Sequence, residues 1–292
     1  MRLFLVNDTG GSRHFGCKAV MRSLRHVLAE IPEIEIVGIH TVKERQLNEA
    51  DFAAAEVVFV NGEGTIHHDG PRSLFLMGVI ARARREGKRV VLANALFQMH
   101  AYADQRILEG LALLAVREPR SAAYARAYGG TPLVLLDSAA DPRFTGGGEA
   151  LALTSGTVIG GENADGPLPD AFAGLEGQRL TMFSAPMPDM IATLRQAQVY
   201  VTGQHHGVYA AALAGCPFVA VPSNSHKIEG FIEWTGLPIP ICTRKRDLEG
   251  AIAFVKRNPA IFRDLTDFMA AQSVLTSAML REALGLAPVS VG

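Results

Sequence analysis

VVFVNGEGTIHHDGPRSLFLMGVIARARREGKRVVLAN, residues 57–94, decides the fold. Its first four residues are β-branched or aromatic and apolar on both faces, as a strand sandwiched between helices must be. A turn with two glycines follows, then an Ala-, Arg- and Leu-rich helical stretch over 72–86, then a second apolar run at Arg89–Ala93. That is one strand–helix–strand unit with parallel strands, and the same alternation extends in both directions. Upstream, strands are expected at Leu3–Val6 and Glu35–Ile39 with a helix over 16–30. Downstream, helices over 103–111 and 119–128 alternate with strands at Leu113–Val116 and Leu133–Leu136.

Between Asp141 and Asp170 the texture changes to Gly, Pro, Ser and Thr, with GGG at 146–148, GG at 160–161 and the turn-prone GPLP at 166–169. This reads as an interdomain region. A second series follows: strands at Leu180–Phe183, Val199–Thr202, Phe218–Val221 and Pro240–Cys242, helices over 187–196, 206–214 and 226–234, and helices from 247 to 285. The expected fold class is α/β, with two Rossmann-like doubly wound parallel-sheet domains, 1–145 and 146–292, facing a cleft.

Composition bounds the function. The 292 residues are 48% hydrophobic and 20% charged, which excludes disorder and collagen-like classes. The 28 Lys and Arg against 29 Asp and Glu leave a net charge of −1, so no global field holds a polyanion and nucleic acid is excluded as a partner. Cys17, Cys216 and Cys242 are widely spaced without a CxxC pair, which argues against a disulfide framework or zinc ribbon and fits a reducing cytoplasm. The N-terminal run MRLFLVNDTGG is too short for a signal peptide and reads as a buried strand, and no segment approaches the roughly 20 apolar residues of a membrane span.

In open parallel sheets ligands bind beyond the carboxyl ends of the strands, where helix N-termini and free N–H groups converge. The residues that follow each expected strand are therefore the candidates. Asn7, Asp8 and Arg13 follow the first; Asn61, Glu63, His67 and His68 lie in NGEGTIHHD; then come Asn94, Arg117 and Asp137. Gly62 and Gly64 allow close backbone approach, but NGEGTIHHD is neither a Walker loop nor the GxGxxG fingerprint. Its competing reading is an ordinary turn with solvated histidines. A metal site at His67, His68 and Asp69 is disfavoured, since adjacent residues seldom point at one ion.

In the second half Gln204, His205 and His206 stand where a strand turns into an Ala-rich helix, a location that favours anions. An imidazole there can bind a phosphate or carboxylate, or move a proton near neutral pH. Ser223 and Lys227 sit at another helix start and add hydroxyl and ammonium donors. Arg117 at a strand terminus suits an oxyanion, against a structural salt bridge to Glu118. Cys216 and Cys242 read as core, and Cys17 as the one thiol with a claim to reactivity, although packing is the better reading there too.

NGEGTIHHD, Arg117-Glu118-Pro119-Arg120-Ser121, Asp141-Pro142 and TGQHHGVYAAALAGCPFVAVPSNSHK over 202–227 together resemble the polysaccharide pyruvyl transferase family. The resemblance spans most of residues 1–235, and the last segment is the most specific. It implies a GT-B-like fold. It also implies transfer of the enolpyruvyl group of phosphoenolpyruvate, as co-substrate, onto two hydroxyls of a sugar in a polysaccharide or its lipid-linked precursor. No further cofactor is required, and metal dependence is left open. A lipid-linked acceptor would bring this cytoplasmic protein to the inner face of the membrane.

By the resemblance, Arg117 contacts the donor and His206 is the active-site histidine; the need for an acid and a base at one substrate directs Asp8 or Glu63 at the sugar diol. Gln204, His205, Ser223, Lys227 and Arg13 complete the donor side, and Asn61, His67, His68 and Asn94 the acceptor side. Two positions depart from the family. Gln204 stands where an arginine is common, so Lys227, Arg13 or another group supplies the charge, or the donor differs; and NDTGGSRHFG replaces an Asn-x-Gly-Asp turn. The rival reading is a GT-B-type glycosyltransferase using a nucleotide-activated sugar, and a third is a non-catalytic glycan-assembly protein of the same fold.

Overall fold

A computed structural model of the chain describes residues 1–98, 101, 104–160, 166–168 and 170–288. The chain divides into two compact units: Met1–Gly11, Val20–Ser138 and Val274–Gly292 form the first, and Ser12–Ala19 with Ala139–Ser273 the second. A single boundary near residue 145 does not describe this division, because two segments are exchanged. The C-terminal exchange has a visible cause: Arg281 makes paired bonds of 2.7 Å to the Glu33 carboxylate, and Arg89 donates to the Leu284 carbonyl at 2.6 Å.

In the first unit the elements are β1 (Arg2–Asp8), α1 (Phe15–Ala29), β2 (Glu35–Thr41), α2 (Glu49–Ala54), β3 (Val57–Asn61), β4 (Ile66–His67), α3 (Pro71–Arg85), β5 (Arg89–Ala95), β6 (Phe97–Gln98), β7 (Leu113–Val116), α4 (Pro119–Ala127) and β8 (Leu133–Val134). The main sheet has the order β2-β1-β3-β5-β7-β8, with every pair parallel. β3 and β7 are buried along their whole length, which is why they read as uninterrupted apolar runs. Each such side chain contributes on the order of 2 kcal/mol by leaving water. The order reverses direction at β1, so the switch point of the sheet lies between β1 and β3.

The second unit holds β9 (Thr157–Gly160), β10 (Gln178–Arg179), α5 (Met187–Leu194), β11 (Val199–Thr202), α6 (His205–Ala214), β12 (Phe218–Ala220), α7 (Lys227–Thr235), α8 (Leu248–Arg257) and α9 (Ala260–Ala271). Its parallel sheet has the order β10-β9-β11-β12. α10 (Ser277–Ala283) returns to the first unit. α6 is apolar all round and buried over His205–Ala212, and Gly215 ends it in the left-handed conformation at φ 65°.

Several local expectations are corrected. Residues 105–110 form turns rather than a helix, closed by Gly110 at φ 69°; Ala103, where that helix was to begin, lies outside the described residues. β9 lies inside the stretch expected to be interdomain, of which Gly161–Asp165 and Pro169 are likewise outside the described residues. The strand expected at Leu180–Phe183 ends at Arg179, because Thr181 and Ser184 fold the next residues into a turn: Thr181 N donates to Ser184 Oγ at 2.9 Å and Phe183 N to Thr181 Oγ1 at 3.2 Å. Pro240–Cys242 makes only a single bridge, Ala220 to Ile241. No helix among the described residues is long and apolar enough to cross a membrane.

Candidate functional site

At the switch point of the first sheet, Asn7 Nδ2 donates to the Asn61 carbonyl at 2.7 Å and Asn61 Nδ2 returns a bond to the Asn7 carbonyl at 3.3 Å. The two asparagines lock the carboxyl ends of β1 and β3 to each other. Asn61 Nδ2 also reaches Glu63 Oε2 at 3.4 Å. All three are buried. The next strand, β5, ends in Asn94, whose Oδ1 accepts from Ser138 N at 2.8 Å while its Nδ2 is buried without a partner.

Among the described residues, the non-glycine residues with left-handed φ are Asn7 (63°), Glu63 (39°), His68 (55°), Asp69 (49°) and Asn94 (55°). Every one stands at this edge of the first unit. Such conformations cost about 1–3 kcal/mol each and persist where the surroundings impose them, typically at functional sites. The NGEGTIHHD turn is held by the β4–β6 ladder, which pairs Ile66 with Phe97 and His67 with Gln98. Leu96 N donates to the Glu63 carbonyl at 2.7 Å, which fixes the backbone of Glu63.

Arg117 follows β7 and is 2% exposed. Its Nη1 pairs with Asp137 Oδ2 at 2.5 Å, and its Nε and Nη2 have no hydrogen-bond partner. The structural alternative of an Arg117–Glu118 pair is not what forms: Glu118 turns onto α4 and accepts from Ser121 N at 2.9 Å as its N-cap. A β-carbon on Gly64 would stand 3.6 Å from Arg117 Nη2, so the glycine backbone of the turn lies against the unpaired side of the guanidinium. Asn7, Asn61, Glu63, Gly64, Asn94, Arg117 and Asp137 thus follow one another along the edge.

Three residues expected here have local partners. Asp8 is buried, and its carboxylate is paired with Arg25 and accepts Gly10 N at 2.8 Å, which shapes the turn after β1. His67 and His68 bond each other through their Nδ1 atoms at 2.8 Å.

In the second unit, Gln204 is the N-cap of α6 and makes no side-chain cap bond, while His205 and His206 form the first turn and are buried. The His206 ring packs edge-on against His14 with centroids 5.1 Å apart; the His205 ring lies 5.3 Å from His206 and 4.7 Å from Tyr209. His14 Nδ1 accepts from Gly16 N at 3.0 Å, which makes Nε2 the protonated nitrogen of the neutral ring. A β-carbon on Gly16 would stand 2.0 Å from the His206 ring, so only glycine admits the histidine there. Gly160 and Gly207 similarly make room for the Tyr200 hydroxyl, whose pKa burial pushes up to about 12.

Lys227 Nζ is bound to Asn224 Oδ1 at 2.7 Å, so the ammonium is turned back onto its own loop; Ser223 is half-buried, and Arg13 is exposed. His14 and Gly16 were not singled out as site residues by pattern. Their only signal was position, just after an expected strand or at the start of the helix that follows it.

No family model and no curated protein matches the sequence. Solved structures do match. A spinosyn rhamnosyltransferase complexed with thymidine diphosphate is similar with a TM-score of 0.59 and 14% identity, over 97% of this chain and 99% of that one. The UDP-GlcNAc 2-epimerase from Neisseria meningitidis bound to UDP-GlcNAc gives 0.56 and 8%, over 97% and 99%. The glycotransferase of kitacinnamycin gives 0.51 and 14%, over 97% of each. At such identity the likeness is one of fold. The chain has the GT-B fold of two Rossmann-like domains, shared by these transferases and epimerases.

Proposed function

We propose that the chain is a transferase of sugar assembly whose donor is activated through phosphate, and that this donor is a nucleotide-activated sugar. The observation that carries the reading is the opening of α6: a helix N-terminus without a side-chain cap, with His205 and His206 buried in its first turn and a glycine at position 207. First-turn N–H groups and the helix dipole suit a diphosphate. The fold neighbours bound to thymidine diphosphate and UDP-GlcNAc support the same class of ligand. In glycosyl transfer the acceptor oxygen bonds to the anomeric carbon, the bond from that carbon to the diphosphate breaks, and the acceptor proton passes to a base. His206 is the group we assign to that proton.

A second reading, pyruvyl transfer from phosphoenolpyruvate, is favoured by Arg117, because a buried guanidinium with two unpaired donors suits a small compact anion better than a nucleotide. Here two sugar hydroxyls bond to the enol carbon, the bond to phosphate oxygen breaks, the methylene carbon takes a proton to become methyl, and phosphate leaves with the other. In either reading the acceptor is a sugar, free or carried on a lipid.

Thermal shift with the full chain tests the donor, since a ligand of the folded state raises Tm by mass action. UDP-, TDP-, GDP- and CMP-sugars are compared with phosphoenolpyruvate. A rise with one nucleotide sugar, abolished in His206→Ala, is the expected result. A rise with phosphoenolpyruvate alone replaces the first reading with the second. No shift with any donor overturns both.

A further inference from the structure

A cavity of about 380 Å³ opens in the first unit, lined by Glu44, Arg45, Pro71, Arg72 and Phe75. Its walls are the segment that leaves β2 and the first turn of α3, both at the carboxyl edge of the sheet that carries Asn7 and Asn61. The cavity is basic. Among the described residues neither Arg45 nor Arg72 has a carboxylate partner; Arg72 Nη1 donates to the Glu44 carbonyl at 3.3 Å. The Glu44 carboxylate accepts from Thr41 N, which holds it on its own turn. α3 begins at Gly70, an N-cap without a side-chain bond, so the helix adds its positive end to the two guanidinium groups.

Behind the cavity, His40 is 1% exposed and stacks on Phe75 with ring centroids 4.9 Å apart and planes 28° from parallel. Its Nδ1 accepts from Asn7 N at 3.4 Å, and its Nε2 is buried without a hydrogen-bond partner. His40 therefore couples the aromatic wall of the cavity to the strand end where the two asparagines meet. Burial holds its pKa below the ordinary value, with Glu44 and Arg72 the charged groups it feels, acting in opposite directions.

We propose that this cavity is a subsite for an acidic sugar, a ring that carries a carboxylate or a phosphate. Arg45 and Arg72 hold the oxyanion and the apolar face of the ring lies on Phe75. Guanidinium groups bind planar oxyanions through paired N–H bonds, and an aromatic face accepts the C–H side of a pyranose. Identifying this sugar as the acceptor rests on the sugar-transfer reading; the binding itself does not.

Calorimetric titration of the full chain with glucuronate, glucose 1-phosphate and glucose tests the subsite. Glucuronate or glucose 1-phosphate binds at least roughly tenfold more tightly than glucose, since hydrogen bonds to charged groups are the strong ones. Preference for the first identifies a carboxylate and preference for the second a phosphate. The double variant Arg45→Ala/Arg72→Ala loses that preference, and Phe75→Leu weakens all three sugars; both are checked for an unchanged melting profile. Equal binding of charged and neutral sugars, or a preference that survives the double variant, overturns the proposal. Acidic-sugar binding that depends on the arginines in a protein with no transfer activity keeps the subsite and removes the transferase. Transfer to neutral and acidic acceptors alike, insensitive to the variants, does the reverse.

Discussion

Arg117 and Asp137 form an ion pair of 2.5 Å in which both side chains are buried, 2% and 0% exposed, yet the guanidinium spends only Nη1 on the carboxylate. Nε and Nη2 remain without partners. Burying a cation is costly, and leaving two of its donors unpaired adds to that cost, so the arrangement makes sense where an incoming oxyanion completes it. Arg117→Met breaks this buried ion pair by removing its cation, a loss of about 3–5 kcal/mol, and lowers Tm sharply. Arg117→Lys keeps the charge but not the planar donors. It is expected to fold and to bind the anionic substrate at least roughly tenfold more weakly. Lysine binding as well as arginine would show that the open donors contact nothing in the substrate.

Gly16 is a test of His206 that leaves the imidazole intact. Alanine in an exposed helix interior gains up to about 1 kcal/mol over glycine. Here the new methyl would meet the His206 ring at 2.0 Å, so the ring must leave its place. Gly16→Ala is expected to lower kcat nearly as far as His206→Ala while far-UV circular dichroism stays native. A Gly16→Ala enzyme with wild-type kcat would mean that the position of the ring is immaterial to turnover.

The central strands were legible because each is buried on both faces, and the edge rule for parallel sheets then located Asn7, Asn61, Glu63, Asn94 and Arg117 from their place in the chain alone. The pairings were not legible. Whether Arg117 meets Glu118 or Asp137 depends on Glu118 capping α4, and the fate of Asp8 depends on Arg25 one helix later. Both are facts about neighbours in space. β9 was missed for a different reason: TVIG is a short strand set among glycines and serines, and its burial comes from pairing with β11, which period and composition do not register. Likewise 103–111 has helical spacing, but its described part breaks into turns at Gly110.

Thiol chemistry distinguishes the three cysteines. Burial raises the Cys216 pKa to about 12 and moves that of Cys242 in the same direction, so neither presents thiolate at pH 8. Cys17 is only partly buried. A chromogenic disulfide reagent at pH 8 is expected to titrate one thiol per native chain, abolished by Cys17→Ser, and three after denaturation. Two fast thiols in the native protein would contradict the packing around Cys216 and Cys242.

The exchange of α10 into the first unit carries its own pH dependence. Paired bonds from Arg281 hold Glu33 at about 2, below the usual 4.5. The folded state therefore binds the proton less readily than the unfolded chain. The stabilisation is fully present above about 4.5 and is lost as pH falls through about 2. Glu33→Gln is expected to lower Tm at pH 7 and to expose the C-terminal segment to limited proteolysis. The difference from wild type should shrink between pH 4.5 and 2. Salt should also shrink it, since the Glu33 side chain is 43% exposed. A Tm difference that is constant from neutral to acid pH would show that α10 is held by its apolar face, Leu280 above all, and not by the ion pair.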